Sequence, residues 1–316
     1  MANQETQQLD SIVSRRRAML AMGGAALATL AFVPKVQAQA AVTDNDILNF
    51  ALNLEYLEAQ FYTLAASGVT IDKLPTSIPV AVNGGTAGTV TLKPSFAKVP
   101  FSNSGIAAYA SEVALEEQKH VKFLQSALGI ATVSMPNIDL YNSFNALASV
   151  AGIASAFDPF ASDANFLIGA YVFEDVGVSA YHGAAGLITD KTKILPAAVG
   201  IHAVEAYHAG LIRTTIAGLD AQAGNSNLSG LTQKISAARA KLANPSGTPV
   251  DDVGLTTVSV ALNGSSNNYT AATLVDADPN SIGWSRTTTQ ILAIVTGGGS
   301  GNKGVFFPAG LNGTIK

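Results

Sequence analysis

Apolar residues recur every three to four positions along four long stretches of this chain. The stretches cover about residues 44–66, 105–128, 162–188 and 195–217. This period predicts four helices, each of more than twenty residues, and four such helices predict a bundle. Thr43 and Asp46 predict a capping box at the start of the first helix, and Gly68 follows its end. Ser104 is the predicted N-cap of the second helix.

The connecting segments are unequal in length and composition. Residues 69–100 include "VAVNGGTAGTVTLKP", two β-like runs around a Gly-rich turn, which predict a hairpin insertion. Residues 130–161 predict a loop with one short helix. A further amphipathic helix is predicted over residues 229–243, followed by a strand-like piece, a short helix and a Gly-rich tail.

These patterns predict an all-α fold with a defined domain order. We expect a four-helix bundle over residues 41–220, interrupted by the hairpin insertion. Residues 221–316 are expected to form one extra helix and a loop-rich mixed extension that packs on the bundle. The first forty residues stand apart from this scheme.

Those forty residues have the features of an export signal. An arginine cluster precedes a moderately apolar run at 18–33, and small residues around Ala38 and Ala40 suit cleavage. Arg16 and Arg17, followed by one residue and two apolar ones, fit the twin-arginine pattern, with an ordinary secretory signal as the alternative. We therefore expect a bacterial protein exported by the twin-arginine machinery to the periplasm or beyond. The run is too short and too rich in Ala and Gly for a stable membrane span.

Composition narrows the range of functions. Hydrophobic residues make up 48% of the 316 residues and charged residues only 13%, which predicts a well-packed protein in which each buried charge has a reason. The chain has no cysteine, which excludes disulfides and thiolate metal sites. Its net charge is −4, and no basic run occurs beyond the N-terminus, so nucleic acid is not an expected partner.

Carboxylates and histidines follow an ordered pattern within the predicted helices. All seven glutamates beyond residue 40 fall in the four long helices. Glu117 and His120 form a Glu-x-x-His pair, and Glu205 and His208 repeat it on the fourth helix. Residues three apart share one helix face, so each pair presents a carboxylate and an imidazole together. Glu174 and Asp175 interrupt the third helix, which is apolar nearly all round, so at least one of them is expected to be enclosed.

Buried carboxylates need protons or cations, and a pair of metal ions would neutralise several of them at once. One Glu from each of two helices and one Glu-x-x-His from each of the other two is the ligand arrangement of dimetal bundles. Oxygen-rich ligands with two imidazoles suit iron or manganese, and zinc would also bind. The candidate ligands are Glu55, Glu117, His120, Glu174, Glu205 and His208, with Glu58 as the alternative to Glu55.

The other polar and aromatic residues of these helices receive simpler interpretations. Glu112 and Glu116 are predicted to lie on the surface. His182 and His202 are predicted not to be ligands, because each is turned away from the nearest candidate Glu on its helix, and a role for either in orienting a ligand is left open. The tyrosines nearest the candidates are predicted to be core aromatics, with Tyr181 able to line the metal pocket; they are Tyr62, Tyr181 and Tyr207.

Three stretches carry a family resemblance: "LNFALNLEYLEAQFY", "AVEAYHAGLIRT" and "GWSRTTTQILAIV…GVFFPAGLNG". The chain resembles the ferritin-like family that includes plant desiccation-related proteins and exported bacterial homologues, over most of residues 44–313. In the wider ferritin-like superfamily, "EYLEAQFY" also resembles the first helix of rubrerythrin-type members, in which the ligand Glu precedes a Tyr by seven residues. That resemblance favours Glu55, with Tyr62, over Glu58. The segment 69–100 departs from the family pattern.

The resemblance implies a ferritin-like bundle and leaves two functions open. One is an exported dimetal oxidoreductase that consumes dioxygen or peroxide under desiccation or oxidative stress, with manganese-catalase-like activity included. The other is a non-catalytic stress or structural protein whose site is empty or purely structural. Mineral storage is disfavoured because the insertion and the tail interfere with cage assembly, and smaller homo-oligomers are left open.

Overall fold

The structure is a computed structural model that describes residues 42–247, 251–261, 268–299 and 302–316. The predicted export signal lies outside these residues. Among the helices of the described part, none is both long enough and apolar enough to cross a membrane.

Helices dominate the described residues, which confirms the all-α prediction. The helices are α1 (Asp44–Ser67), α2 (Ser104–Leu128), α3 (Asn142–Val150), α4 (Asp163–Tyr171), α5 (Glu174–Ala185), α6 (Ile194–Ala223), α7 (Asn227–Ala243) and α8 (Thr288–Val295). The strands are β1 (Val90–Thr91), β2 (Ile138–Asp139), β3 (Thr257–Ala261) and β4 (Asn268–Ala272). In the bundle, α1 packs mainly against α2, and α5 packs mainly against α6.

The ends of the first two helices follow local sequence rules. Thr43 and Asp46 form the predicted capping box, and Gly68 ends α1 with a left-handed φ of 81°. The N-cap of α2 is Asn103, whose side chain accepts hydrogen bonds from two backbone N–H groups of the first turn. The Ser104 prediction was therefore wrong by one residue, and Asn is as good a cap as Ser.

The third predicted helix, residues 162–188, is interrupted. Helix α4 ends at Tyr171 and α5 begins at Glu174, and the two residues between them donate their N–H groups to carbonyls three residues back. Arg239 of α7 donates to the Tyr171 carbonyl at 2.7 Å, so a cation from the C-terminal extension binds the backbone at the interruption. The break therefore involves a contact that the local apolar pattern does not encode.

The insertion forms no hairpin, so that prediction was wrong. Residues 69–100 contain one strand, β1, which pairs in parallel with β2 from the next connection. Gly88 makes this pairing possible, because a Cβ there would lie 2.2 Å from the backbone nitrogen of Asn137. The β-like run before Gly88 instead docks by single backbone hydrogen bonds, including one between Met135 and Val80.

The C-terminal extension packs on the bundle. Helix α7 contacts α4 and α6, whereas α8 contacts α5 and α7, and β3 pairs with β4 antiparallel. The buried ring of Phe306 lies 4.9 Å from Phe173 and 5.3 Å from Phe144, measured between ring centroids. Asn312 exchanges two hydrogen bonds with buried Asn53 of α1, at 2.8 and 2.9 Å. The tail therefore completes the core.

Candidate metal centre

The structure brings all six sequence-predicted candidates together in the interior of the bundle. They are Glu55 on α1, Glu117 and His120 on α2, Glu174 on α5, and Glu205 and His208 on α6. Each is buried, and the carboxylates are no more than 1% exposed. The three-residue spacing of each Glu-x-x-His pair places both side chains on the inward face of its helix.

The first of two ligand groups surrounds His120. Its Nδ1 lies 3.2 Å from a Glu55 oxygen, 3.4 Å from a Glu117 oxygen and 3.4 Å from a Glu205 oxygen. One potential ligand atom from each of these four residues lies within 4.8 Å of the others. Such a set of three carboxylates and one imidazole can hold a metal ion.

The second group surrounds His208 and shares a carboxylate with the first. His208 Nδ1 lies 3.0 Å from Glu117 and 3.5 Å from Glu174, and these three residues also offer ligand atoms within 4.8 Å of one another. The ring centroids of His120 and His208 are 6.4 Å apart, with Glu117 approaching both. One carboxylate between two imidazoles has the geometry of a bridge between two ions.

Several of these buried atoms lack a hydrogen bond within the described residues. Both oxygens of Glu117 are without one, although imidazole nitrogens lie close to them. Both oxygens of Glu205, one oxygen of Glu174 and Nδ1 of His208 also lack a hydrogen bond within these residues. Buried polar groups normally have hydrogen-bond partners. Oxygen and nitrogen lone pairs that face a shared space without a donor are therefore suited to bind cations placed between them.

The charges of the cluster do not balance without added cations. Burial and the neighbouring carboxylates raise the pKa of Glu58 and of Glu205 well above the usual range. Burial also raises the pKa of Glu55 to about 7. Burial alone would lower the pKa of His208, but Glu174 and Glu117 raise it to about 12. Buried carboxylates with raised pKa values must be neutralised either by protons or by bound cations.

Glu58 is as deeply buried as Glu55 but occupies a different position. It belongs to neither ligand group, and it lies where an apolar cavity reaches the cluster. Of the two residues, Glu55 makes the contact with His120, and the choice of Glu55 over Glu58 as the ligand stays a prediction.

Two buried tyrosines hold carboxylates of the cluster. The Tyr62 hydroxyl donates to Glu174, and the Tyr181 hydroxyl donates to Glu55. Both were predicted to be core residues, and Tyr181 lines the pocket as the sequence suggested. Tyr207 was predicted to be in the core but is 52% exposed, because it lies on the outward face of α6.

Glu116 is a polar partner that the sequence reasoning missed. It was predicted to lie on the surface, but its side chain is only 28% exposed and its carboxylate lies 2.8 Å from His208 Nε2. Because a carboxylate accepts, the Nε2 atom carries the hydrogen and Nδ1 is left facing the cluster. No local signal identifies this pair, since the partners are 92 residues apart on α2 and α6. Glu112 is exposed, as predicted.

An apolar cavity of about 50 Å³ reaches the cluster from the side of the C-terminal extension. Glu58 and Gly177 line it where it meets the centre. A Cβ at position 177 would lie 2.3 Å from a Glu205 oxygen, so glycine lets α5 approach the carboxylates. Half-buried side chains at the outer part of the cavity include Leu147, Ala151, Ile153, Phe157 and Leu242.

Comparison with known proteins agrees with this architecture. The family described as ferritin-like domain matches residues 43–218. The chain is 30% identical to desiccation-related protein PCC13-62 of Craterostigma plantagineum, over 80% of this chain and 78% of that protein. It is 27% identical to ferritin-like catalase Nec2 of Nesocodon mauritianus, over 86% and 84% of the two chains. No solved structure is significantly similar to it. The chain therefore belongs to the ferritin-like family that includes the desiccation-related proteins.

Proposed function

We propose that this protein binds two iron or manganese ions and breaks down hydrogen peroxide. The observation that carries the proposal is the pair of buried ligand groups that meet at Glu117. The name of one relative, ferritin-like catalase, supports peroxide as the substrate. The ligand set is Glu55, Glu117, His120, Glu174, Glu205 and His208, with Glu117 shared.

A redox-active metal pair would supply the electrons and take them back, so that two peroxide molecules yield two water molecules and one dioxygen. The chain's own residues prepare the centre for this reaction. Tyr62 and Tyr181 hold the carboxylates of Glu174 and Glu55 by hydrogen bonds. Glu116 fixes the tautomer of His208, so that its Nδ1 points inward.

The cavity that ends at Glu58 supports a small neutral substrate. Its lining is almost entirely apolar, so it would exclude ions while a neutral oxidant reaches the carboxylates. A buried centre with narrow apolar access also limits entry of larger reductants. Dioxygen, which is likewise small and neutral, is the second candidate substrate on this observation.

We also propose that the chain acts outside the cytoplasm, under desiccation or oxidative stress. The arginine pair, the apolar run and the small residues near Ala38 and Ala40 support export. The name of the desiccation-related relative supports the stress setting. Replacing Arg16 and Arg17 by lysine should retain the full-length precursor in the cytoplasm if the twin-arginine route is used, and a mature protein that still reaches the periplasm would contradict it.

Oxygen release tests the enzymatic part of the proposal. Protein expressed with iron or manganese is mixed with hydrogen peroxide, and dioxygen is followed with an electrode. We expect steady release that His120→Asn abolishes, while Glu112→Gln, an exposed change on the same helix, leaves it unchanged. Metal-loaded protein that releases no dioxygen and consumes no peroxide would refute the activity and favour a structural role.

A further inference from the structure

The two remaining histidines of the chain form a second pair, which lies outside the candidate metal centre, called the carboxylate centre below. His182 lies on α5 and His202 on α6, and their ring centroids are 5.9 Å apart. They line a cavity of about 390 Å³ between these helices and the C-terminal extension, near Trp284 and Asp276. The proposed function uses neither histidine.

Both rings are oriented in the same way by the backbone. His182 Nδ1 lies 3.1 Å from the Trp284 carbonyl oxygen, and His202 Nδ1 lies 3.1 Å from the Val178 carbonyl oxygen. A carbonyl oxygen can only accept, so each Nδ1 carries the hydrogen and each neutral ring keeps its free lone pair on Nε2. Metal-binding histidines are usually oriented by this kind of hydrogen bond from the other ring nitrogen.

The surroundings keep His202 in the form that binds metals. Burial, together with the neighbouring His182, lowers the pKa of His202, so the ring stays neutral more readily. The cavity is large enough for one ion and several waters, since a water occupies about 30 Å³. Two imidazoles with open positions suit the zinc and copper class of divalent ions more than iron or magnesium.

We propose that His182 and His202 form a separate metal site that binds one divalent ion of the zinc and copper class through both Nε2 atoms, with water completing the coordination. This site differs in chemistry from the carboxylate centre, where each ligand group contains a single imidazole. Because exposed residues, Val275 and Ile282, line part of the cavity, we expect the bound ion to exchange with solvent.

Copper(II) is the probe for this site, and Trp284 is the reporter. Trp284 is the single tryptophan of the chain, it lines the cavity, and its carbonyl accepts from His182. Copper(II) quenches indole fluorescence at short range. We expect wild-type protein to be quenched by micromolar copper, and His182→Asn and His202→Asn each to require at least about tenfold more.

Asparagine is the matched replacement, because its amide N–H can still donate to the carbonyl that Nδ1 contacts while the Nε2 lone pair is lost. Circular dichroism checks the fold of each variant, and the iron or manganese content checks the carboxylate centre independently. Equal quenching in wild type and both variants would overturn the proposal, whether or not the carboxylate centre binds metal.

Electron paramagnetic resonance of the wild-type protein adds a test that needs no variant. Copper held by the histidine pair should show hyperfine coupling to two imidazole nitrogens. Copper in either carboxylate group would couple to one nitrogen, since each group contains a single histidine. A spectrum in which the copper that quenches Trp284 couples to fewer than two nitrogens would contradict the assignment.

Discussion

Two buried charge clusters begin at neighbouring residues of α5 and are neutralised in different ways. Glu174 belongs to the candidate metal centre, where five buried glutamates face two imidazoles. Asp175, the next residue, belongs to what we call the arginine cluster. The arginine cluster consists of Asp175, Arg213, Arg239, Asp251, Asp252, Asp276 and Arg286.

The arginine cluster supplies its own cations. Arg239 binds Asp175 at 2.8 Å and Asp252 at 2.7 Å, while Arg213 binds Asp175 at 2.9 Å. Arg286 binds Asp252 at 2.9 Å. These contacts join α5 and α6 to α7 and the segments around it, so the cluster holds the C-terminal extension on the bundle.

The difference shows that grouped acids alone do not indicate a metal site. Asp175, Asp252 and Asp276 also offer oxygens within 4.8 Å of one another, but arginines already bind two of them. In the candidate metal centre, five carboxylate oxygens of Glu117, Glu174 and Glu205 lack hydrogen bonds within the described residues, whereas in the described part of the arginine cluster this is true of one carboxylate oxygen, on Asp251. We infer that the arginine cluster is structural and that the candidate metal centre needs cations from outside the protein.

The largest expected effect is a loss of stability when the arginine cluster is changed. Arg239→Met should lower the free energy of unfolding by about 3–5 kcal/mol, because it leaves Asp175 and Asp252 buried with fewer cations. Urea denaturation followed by circular dichroism measures the change. Lys241→Met, at an exposed position of the same helix, is the control and should have little effect. A loss for Arg239→Met as small as the control's would refute the structural role.

In the candidate metal centre, removal of a charge is expected to raise the free energy of unfolding instead of lowering it. Glu205→Gln should raise the stability of the metal-free protein by about 1–3 kcal/mol, since neither Glu205 oxygen has a hydrogen bond in the described part.

This gain should depend on pH. The folded-state pKa of Glu205 is raised by burial, so its unfavourable contribution grows as pH rises above the unfolded value of 4.5. The variant should therefore gain more at pH 7 than at pH 4 in urea titrations. A metal-free variant that is less stable than wild type at pH 7 would mean that the two clusters are of the same kind.

Obstruction of the apolar cavity should affect catalysis without affecting the metals. Ala151 is a half-buried lining residue, and Ala151→Trp should lower kcat/KM for hydrogen peroxide several-fold because the ring fills the passage. Metal content should not change. Ala154→Trp, at an exposed position that does not line the cavity, is the control. Equal rates for both variants would exclude this cavity as the route.

The smallest expected effect is a pH dependence within the arginine cluster. Burial, together with Asp175 and Asp252, raises the pKa of Asp276 from 3.8 to about 8. A raised carboxyl pKa stabilises the fold least at high pH, so Asp276→Asn should raise the melting temperature slightly at pH 9 and not at pH 4. Melting curves at the two pH values test this, and an equal shift at both would disagree with it.

Local spacing made the bundle and its ligand candidates predictable. The apolar period and the two Glu-x-x-His pairs depend on residues three or four apart, and the structure brings Glu117 with His120 and Glu205 with His208 inward as expected. Glu116 could not be placed in this way, because its orienting contact with His208 joins two different helices.

The same limit explains the break before Glu174 and the missing hairpin. Arg239 contacts the interrupted backbone from 68 residues away, and β1 pairs with a strand from the next connection. Neither partner can be deduced from a window of ten or twenty residues. Deviations of this kind occur where distant segments of the chain compete for the same backbone groups.

The metal content of the full chain tests the central claim most directly. Protein expressed with iron and manganese and analysed by elemental mass spectrometry should contain about two ions per chain. Glu55→Gln should lower this to about one, while Glu117→Gln, which alters the shared carboxylate, should lose both. Wild-type protein with full helicity, no bound metal and an unchanged melting temperature on addition of either ion would contradict the account.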